Sequence, residues 1–343
     1  LGTGREEVGS QSWLVAGPIR LQPSEFARVA IAMWGAKILA NKDPRRLLKA
    51  DNGFAAFIMV SLVCVTLIAM QGDMGMALSL AVVVAFILLF AGVSLKAVGV
   101  VIASGFIALV AIFLSGSFRS DRFHVYFDAL HGHFDDAKGV AFQSHQGFLS
   151  LADGHIFGVG LGQSRAKWFY LPEARNDFIF AVIGEELGLW GGALVILLFA
   201  LLGYFGMRTA RRAQTQYQTL MAASLTAAVV SQAFINIAYV IGLLPVTGIQ
   251  LPMLSAGGSS AVFTLGAMGV LASVARHEPD AVSSMQNYGR PMFDRILCIG
   301  EPRALKQRHP AATPAPRRKR YGTPVTQSAR GYHGQPHRPT PRH

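Results

Sequence analysis

Charged residues are scarce in this chain. Asp, Glu, Lys and Arg make up only 15% of its 343 residues, whereas 52% are hydrophobic and the mean hydropathy is +0.38. So few polar groups cannot cover the surface of a soluble globule of this size. The composition therefore excludes an ordinary soluble protein and indicates one that crosses a membrane several times.

Cysteine and recognisable secretion signals are equally sparse. The two cysteines, Cys64 in an apolar run and Cys298 in a polar segment, lie in such different settings that we expect no disulfide and no redox role. The first residues lack a basic stretch followed by a short apolar core, so no cleavable signal peptide is visible. No dedicated metal-binding motif is visible either.

A glycine cluster stands in the middle of the chain, at Gly158, Gly160 and Gly162. It does not have the GxGxxG spacing, and no clear strand precedes it, so a dinucleotide-binding turn is excluded. Close packing of backbone at the membrane surface is favoured over phosphate binding.

Long apolar runs are what the chain has in abundance. A spanning helix needs about 20 predominantly apolar residues, and seven segments qualify: 25–41, 54–70, 75–93, 97–114, 178–206, 217–243 and 259–275. The almost continuous run 77–90 favours helices over the alternating strands of a barrel. The predicted fold class is all-α, a polytopic membrane protein with about seven transmembrane helices.

Cationic residues follow the first, third, fifth and seventh of these segments. They are Lys42, Arg45, Arg46 and Lys49, then Lys96, then Arg208, Arg211 and Arg212, and finally those of the C-terminal tail. Because loops rich in Lys and Arg stay cytoplasmic, all four groups are expected on that side. The opposite, extracytoplasmic side then receives residues 1–24, the turn at 71–73, the long 115–177 loop, which we expect to fold back against the bundle, and the 244–258 loop.

The composition changes abruptly at residue 277. Residues 277–343 contain 12 Lys or Arg against 4 Asp or Glu, together with many prolines and little aliphatic patterning. This composition predicts a disordered basic tail behind a membrane domain of residues 25–276. Anionic lipid headgroups or acidic partner segments are favoured over nucleic acid as its contacts. The simpler alternative is that the tail only fixes topology and solubility.

Several motifs resemble one known family. They are Gln22-Pro23-Ser24-Glu25-Phe26, Gln71-Gly72-Asp73-Met74-Gly75, Gly158 to Ser164, Tyr170-Leu171-Pro172-Glu173-Ala174 with Gly184-Glu185-Glu186-Leu187-Gly188, and Gly242 to Gly248 with Gly257-Gly258-Ser259-Ser260. Their order and spacing, across about residues 10–276, resemble the SEDS family (shape, elongation, division and sporulation). The residues of the Leu171–Ala174 and Ile183–Gly188 motifs are more similar to the cell-division branch of the family than to its elongation branch. Ser255-Ala256-Gly257-Gly258 resembles the corresponding motif of actinobacterial members.

The resemblance implies a fold and an activity. Members of the family have ten membrane helices, so three N-terminal helices are expected to be absent here, with residue 1 in the loop before the fourth. The implied activity is that of a peptidoglycan glycosyltransferase, which polymerises lipid II into β-1,4 glycan at the division septum. Implied partners are a class B penicillin-binding transpeptidase and other division proteins, with the division ring a candidate partner of the tail. A lipid II transporter and an inactive division scaffold stay open as alternatives.

Asp177 is the candidate catalytic residue. Sugar transfer needs a base that accepts the proton of the acceptor 4-hydroxyl, and one carboxylate at the mouth of an apolar helix can supply it. The alternative is an N-cap, although Phe180 stands where a capping box would have Glu or Gln. The family usually has a histidine two places before this aspartate, whereas this chain has Arg175.

Further residues are expected to bind the substrate. Lys167, Arg165 and Arg175 would stabilise the departing undecaprenyl pyrophosphate, or else are ordinary solvated interfacial cations. A divalent cation, Mg²⁺ or Mn²⁺, could share this task. Glu173 is interpreted as an organiser of the site rather than a second catalyst. The remaining candidates are Ser164, Gln22, Glu25, Asp73, Ser255, Gly257, Gly258 and Ser259.

Four acidic residues have a structural interpretation as well. Glu25 and Asp73 stand where a helix begins, so each is either a favourable helix-terminus acid or part of a substrate groove. Glu185 and Glu186 lie deeper in an apolar segment, where isolated charge is costly. At least one of that pair is expected to face the bundle interior and find a partner.

Overall fold

The computed structural model describes residues 12–16, 19–45, 52–112, 140–165 and 174–302. Within these ranges the chain forms ten helices and one small hairpin. The helices are α1 Pro23–Leu39, α2 Phe54–Met70, α3 Met74–Phe90, α4 Leu95–Ile112, α5 Val140–Asp153, α6 Ile179–Arg212, α7 Gln216–Val240, α8 Gly258–Arg276, α9 Pro279–Tyr288 and α10 Met292–Ile296. The strands are β1 Leu14–Ala16 and β2 Ile19–Leu21.

Each of the seven predicted apolar segments contains a helix. Three of them, α6, α7 and α8, are long and apolar enough to cross a membrane. The apolar helices α2 and α3 have 17 residues each, which corresponds to about 26 Å at about 1.5 Å per residue, a little less than a bilayer core. The predicted all-α membrane fold is confirmed.

The hairpin was not anticipated in an all-α fold. Its two three-residue strands pair antiparallel, with Leu14 opposite Leu21 and Ala16 opposite Ile19. Strand β2 ends two residues before Pro23, the first residue of α1. The hairpin is a local addition ahead of the bundle and leaves the helical class unchanged.

Helix α7 forms the centre of the bundle. It packs against α1, α3, α6 and α8, and the run from Leu220 to Val229 is buried at every position. Small residues such as Ala222, Ala223 and Ser224 let neighbouring helices approach closely, which is how helices associate in a membrane. Polar side chains carried by α7 therefore reach into the interior of the protein.

The predicted cationic segments meet at one end of the bundle, here called the cationic end. The amide N–H of Asn41, after α1, donates to the side chain of Gln216 at the start of α7 (2.5 Å). Gln214 Nε2 donates to the carbonyl of His277, after α8 (2.7 Å), and Arg212 pairs with Asp280 (3.0 Å). The grouping predicted from the sequence is confirmed for these segments.

The predicted disorder from residue 277 is wrong for residues 277–302. Helices α9 and α10 occupy this stretch, with Val282 and Met285 buried. An ion pair between Arg276 and Asp294 (2.8 Å) ties α10 to the end of α8. The amphipathic pattern of residues 279–288 could have indicated this helix, but the proline-rich composition beyond it dominated the prediction. Residues 303–343 lie outside the described residues.

The described parts of the 115–177 loop, residues 140–165 and 174–177, pack against the bundle, as predicted. Its helix α5 packs on α6, and a Cβ placed on Gly147 would lie 3.1 Å from the ring of Phe178. A Cβ on Gly154 would overlap the backbone of Gly184. These contacts bring the end of the loop to the start of α6.

Substitution of Gly206 by alanine is predicted to loosen the α6–α7 contact. A Cβ at this position would overlap the Thr226 side chain, so Gly206→Ala should cost about 1–3 kcal/mol through overpacking. Gly266→Ala in α8 is the matched control, because no atom lies within 4 Å of its added methyl group. The control should gain up to about 1 kcal/mol from helix propensity. Thermal unfolding in detergent measures both, and equal melting temperatures for the two variants would contradict the packing.

Candidate functional site

Four separate segments meet at the end of the bundle opposite the cationic end. They are residues 22–25, 73–75, 174–178 and 245–259, and together they are called the site end here. Gly75 touches the 245–259 segment so closely that an added Cβ would lie 2.6 Å from Ile249 Cγ1 and 2.7 Å from the carbonyl of Thr247. This close approach joins the start of α3 to the loop between α7 and α8.

Gln22 and Asp73 link the starts of α1 and α3. Asp73 is the N-cap of α3, and its Oδ1 accepts from the Met76 N–H (3.0 Å). Its Oδ2 accepts from Gln22 Nε2 (2.8 Å). The structural interpretation of Asp73 as a helix cap is therefore supported, and Gln22 acts as its partner across the two helices.

Glu25 links α1 to α8 and introduces a buried charge. Its carboxylate accepts from Ser259 Oγ (2.9 Å), and the residue is only 2% exposed. One turn further along, Arg28 is equally buried, and its Nη1 donates to Ser79 Oγ on α3 (3.1 Å). Opposite charges one helical turn apart stabilise each other in a medium of low dielectric. Sequence reasoning missed Arg28, although an arginine inside an apolar segment was the available signal.

Asp177 lies in the turn of residues 174–178 that leads into α6. Its side chain is partly buried, and Arg175 two residues before it is exposed. The N-cap of α6 is Phe178, with no side-chain capping hydrogen bond, so Asp177 stands one residue before the capping position.

The backbone of this turn is held from outside itself. The carbonyl oxygen of Asp177 accepts from Asn236 Nδ2 (2.8 Å) and from the Tyr239 hydroxyl (2.9 Å), both on α7. The carbonyl of Asn176 accepts from Ser255 Oγ (2.5 Å). The carbonyl of Arg175 accepts from the Ala256 N–H (3.0 Å). Neither Asn236 nor Tyr239 was predicted as a site residue, although an asparagine inside an apolar helix was a usable signal.

The other predicted residues of the 245–259 segment have varied surroundings. Ser255 Oγ also accepts from the Leu251 N–H (2.8 Å), so this side chain bridges two loops. Gly257 lies against the Gln250 side chain, and Gly258 is the first residue of α8, with open space where a Cβ would be. Two further candidates, Lys167 and Glu173, lie outside the described residues.

Glu185 anchors the glycine-rich stretch 154–165. Its carboxylate accepts from Ser164 Oγ (2.6 Å) and from the Arg165 N–H (2.8 Å). Glu185 is 2% exposed and Ser164 is completely buried, so the expected interior partner of the Glu185–Glu186 pair is found. Ser164, which is predicted to bind substrate, is a hydrogen-bond partner of this buried carboxylate in the structure.

The same stretch seals a break in α6. Gly188 leaves helical geometry, with φ 66° and ψ −160°. The Val159 and Gly160 N–H groups donate to the carbonyls of Glu185 and Glu186 (2.9 and 3.1 Å), while the Leu189 N–H donates to the carbonyl of His155 (3.0 Å). Backbone groups released by the break thus find partners, as a membrane-embedded helix requires. The predicted close packing is confirmed for Gly158, where an added Cβ would overlap the carbonyl of Glu186.

Removal of the Glu185 carboxylate is predicted to release the 154–165 stretch. Glu185→Ala leaves the Ser164 hydroxyl and the Arg165 N–H buried without an acceptor, at a cost of about 1–3 kcal/mol. Glu185→Gln should retain most of the stability, because its amide can accept from Arg165 and donate to Ser164. Hydrogen exchange of residues 154–165 measures the effect, and unchanged protection in Glu185→Ala would contradict the anchor.

The chemistry available at the 174–178 turn is that of one carboxylate, Asp177, near cationic and hydroxyl groups. Asp177 is held at the start of an apolar helix, with Arg175 exposed nearby. Among the described residues, no group of three or more His, Cys, Asp or Glu side chains is placed to hold a metal ion. The arrangement suits proton transfer on a substrate that approaches from the membrane surface.

Comparison with known proteins identifies the family. Residues 1–280 match FtsW/RodA/SpoVE, described as "Cell cycle protein". The probable peptidoglycan glycosyltransferase FtsW of Mycobacterium tuberculosis is 40% identical over 301 residues, which cover 88% of this chain and 56% of that protein. Stage V sporulation protein E of Bacillus subtilis is 38% identical over 279 residues, 80% of this chain and 74% of that protein. The chain spans about half the length of the mycobacterial relatives it matches.

Solved structures share the fold. The rod shape determining protein RodA of Thermus thermophilus aligns with a TM-score of 0.55 and 25% identity, over 80% of this chain and 72% of that one. A chain from "Structural coordination of polymerization and crosslinking by a peptidoglycan synthase complex" aligns with a TM-score of 0.62 and 24% identity, over 80% and 76%. From the extent of the sequence match, this chain belongs to the FtsW/RodA/SpoVE family of cell cycle proteins, the SEDS family that its motifs resemble.

Proposed function

We propose that this protein is a peptidoglycan glycosyltransferase that polymerises lipid II into β-1,4 glycan during cell division. The observation that carries the proposal is the Asp177 turn, in which one carboxylate is held at the start of an apolar helix by three anchored carbonyls. The relatives that are named as probable peptidoglycan glycosyltransferases support the same activity.

The reaction follows from the chemistry of that carboxylate. Asp177 accepts the proton of the acceptor's 4-hydroxyl as the oxygen attacks the anomeric carbon of the donor. A new carbon–oxygen bond forms there, and the bond to the lipid pyrophosphate breaks. The leaving group, undecaprenyl pyrophosphate, departs with its electron pair as an anion, so it needs no acid. Arg175, Arg165 and Lys167 supply positive charge that stabilises it.

We also propose that a divalent cation, Mg²⁺ or Mn²⁺, binds at the Asp177 turn together with the substrate. Magnesium is usually held by one or two carboxylates together with substrate phosphates. Asp177 would be its protein ligand and the pyrophosphate would provide the other oxygens. The ion would supply additional charge stabilisation for the leaving group.

In the proposed orientation of the bundle, this chemistry takes place outside the cell. Because cationic loops stay cytoplasmic, the cationic end and the tail face the cytoplasm, and the site end faces outward at the plasma membrane of the septum. Support comes from the contacts that gather Asn41, Gln216 and His277 at one end and Asp73, Asp177 and Ser259 at the other.

The product would need crosslinking by a partner. The similar chain of known structure comes from a synthase complex in which polymerisation and crosslinking are coordinated. A class B penicillin-binding transpeptidase is accordingly the proposed partner here. Other division proteins are proposed to meet the cytoplasmic tail.

Transport of lipid II is the second candidate function. The buried charges of Glu25 and Arg28 inside the bundle favour it, because transporters place ionisable groups along their pathway. A transporter would depend on the Glu25–Arg28 pair, whereas a polymerase depends on the Asp177 carboxylate. Asp177 therefore distinguishes the two.

Replacement of Asp177 is predicted to abolish polymerisation. Asp177→Asn in the full-length protein removes the base but preserves the shape of the side chain, so glycan synthesis from purified lipid II should fall by about 10²–10⁴-fold. Asp153→Asn is the matched control, because Asp153 is an exposed aspartate at the end of α5. The control should polymerise normally, and both variants should keep the parental melting temperature.

Polymer synthesis by Asp177→Asn at the parental rate would contradict the role of Asp177 as the general base. Loss of lipid II translocation in vesicles by that variant, with polymerisation intact, would favour the transporter.

A further inference from the structure

The two peptide groups on either side of the Asp177 Cα are both held by other segments. The preceding peptide, whose carbonyl belongs to Asn176, accepts from Ser255 Oγ (2.5 Å). The following peptide, whose carbonyl belongs to Asp177, accepts from Asn236 Nδ2 and from the Tyr239 hydroxyl (2.8 and 2.9 Å). Peptide groups are planar, so two fixed planes fix φ and ψ of the residue between them. The direction of the Asp177 Cβ is thereby set.

The hydrogen bonds on the α7 side have a definite donor count. Asn236 Nδ2 lies within 2.6–2.8 Å of the Asp177 carbonyl, the Ile249 carbonyl and the Tyr239 hydroxyl oxygen. The Tyr239 hydroxyl in turn lies 2.7 Å from the Ile249 carbonyl. Two amide hydrogens and one hydroxyl hydrogen thus serve two carbonyls that can only accept. Without Asn236, the single hydroxyl hydrogen of Tyr239 must serve both carbonyls. Without the Tyr239 hydroxyl, each carbonyl loses one of its two donors and keeps only an amide hydrogen of Asn236.

Burial makes these bonds hard to replace by water. Asn236 is completely buried and Tyr239 is 1% exposed. The Tyr239 ring also packs edge-on against the buried ring of Phe178, with centroids 5.9 Å apart. Tyr239 therefore contacts both the carbonyl of Asp177 and the side chain of the next residue, Phe178.

We propose that Asn236, Tyr239 and Ser255 are positioning residues that aim the Asp177 carboxylate at the reacting hydroxyl. The proposal rests on the proposed glycosyltransferase function and deepens it. None of the three has to touch the substrate. Their effect on catalysis is transmitted through the backbone of residues 176 and 177, and it should appear in kcat rather than in KM.

A neighbouring residue offers a matched control. Gln232 lies one turn before Asn236 on α7, is completely buried, and its Nε2 donates to the Gln250 carbonyl (2.8 Å). Among the described residues, Gln232 Oε1 and Asn236 Oδ1 have no hydrogen-bond partner, so the two amides are alike in this respect too. Gln232 binds the same 245–259 segment without reaching the Asp177 turn. Gln232→Ala thus reproduces the structural cost of Asn236→Ala without its effect on the carboxylate.

The test compares steady-state kinetics of the full-length protein and its variants with lipid II. Tyr239→Phe keeps the ring against Phe178 and removes only the hydroxyl, and Ser255→Ala removes only the other anchor. Each should lower kcat about tenfold, and Tyr239→Phe/Ser255→Ala together about 10²-fold, which is the cost of a misplacement of about 1 Å. KM should stay within twofold of the parental value. Asn236→Ala should behave like the double variant.

Hydrogen exchange provides the second readout. The N–H groups of residues 174–178 should exchange faster in Tyr239→Phe and Ser255→Ala, whereas Gln232→Ala should leave them at the parental rate with kcat within twofold. A Gln232→Ala variant that loses as much kcat as Asn236→Ala would overturn the proposal. So would a raised KM with unchanged kcat, which would mean that these side chains contact substrate directly.

The proposed function and this inference can fail separately. If Asp177→Asn still polymerises lipid II, Asp177 is not the general base, whatever the effects of substitutions at Asn236, Tyr239 and Ser255. If Asp177→Asn is inactive but Tyr239→Phe, Ser255→Ala and Asn236→Ala all keep the parental kcat, only the positioning role is wrong.

Discussion

The pair of hydrogen bonds from α7 to the carbonyl of Asp177 is the constraint on which the site depends. A buried backbone carbonyl must have a donor, and the turn of residues 174–178 obtains its donors from distant parts of the chain. Asn236 and Tyr239 satisfy the Asp177 carbonyl and the Ile249 carbonyl at once. The two loops of the site end are therefore fixed relative to each other by two side chains of the most buried helix.

The 245–259 segment extends this constraint to the rest of the site end. It touches α3 at Gly75 and holds the 174–178 turn through Ser255. Four residues after Ser255, the Ser259 hydroxyl donates to the buried carboxylate of Glu25 on α1. Irregular backbone is tolerated at a membrane-embedded site when protein groups satisfy its hydrogen-bonding groups. The 245–259 loop meets this condition with partners from α7 and from the 174–178 turn that precedes α6. The site residues of four segments thus form one connected set, although they lie as far apart as positions 22 and 259.

Much of this architecture could be predicted from residue patterns. Seven apolar runs gave seven helices, and lysine and arginine placement separated the two ends of the bundle. The cost of a buried charge predicted an interior partner for at least one of Glu185 and Glu186, and Glu185 has it. Other features depend on tertiary contacts that no local pattern carries. In the sequence Asn236 is only a polar residue within an apolar helix, and its contact with the Asp177 turn depends on tertiary structure. Ser255 is predicted to line a groove, but its bridge between two loops cannot be deduced from the residues around it. The helix at 279–288 was hidden because a proline-rich sequence follows it.

The glycosyltransferase proposal requires that the carboxylate and the reacting sugar meet at the site end. A cryo-EM structure of the full-length protein with a non-reactive lipid II analogue measures this most directly. The predicted result is an acceptor 4-hydroxyl within hydrogen-bond reach of the Asp177 carboxylate, about 2.6–3.2 Å. A sugar bound at the cationic end, or one that lies along Glu25 and Arg28 with Asp177 beyond the reach of a bridging water, would contradict it.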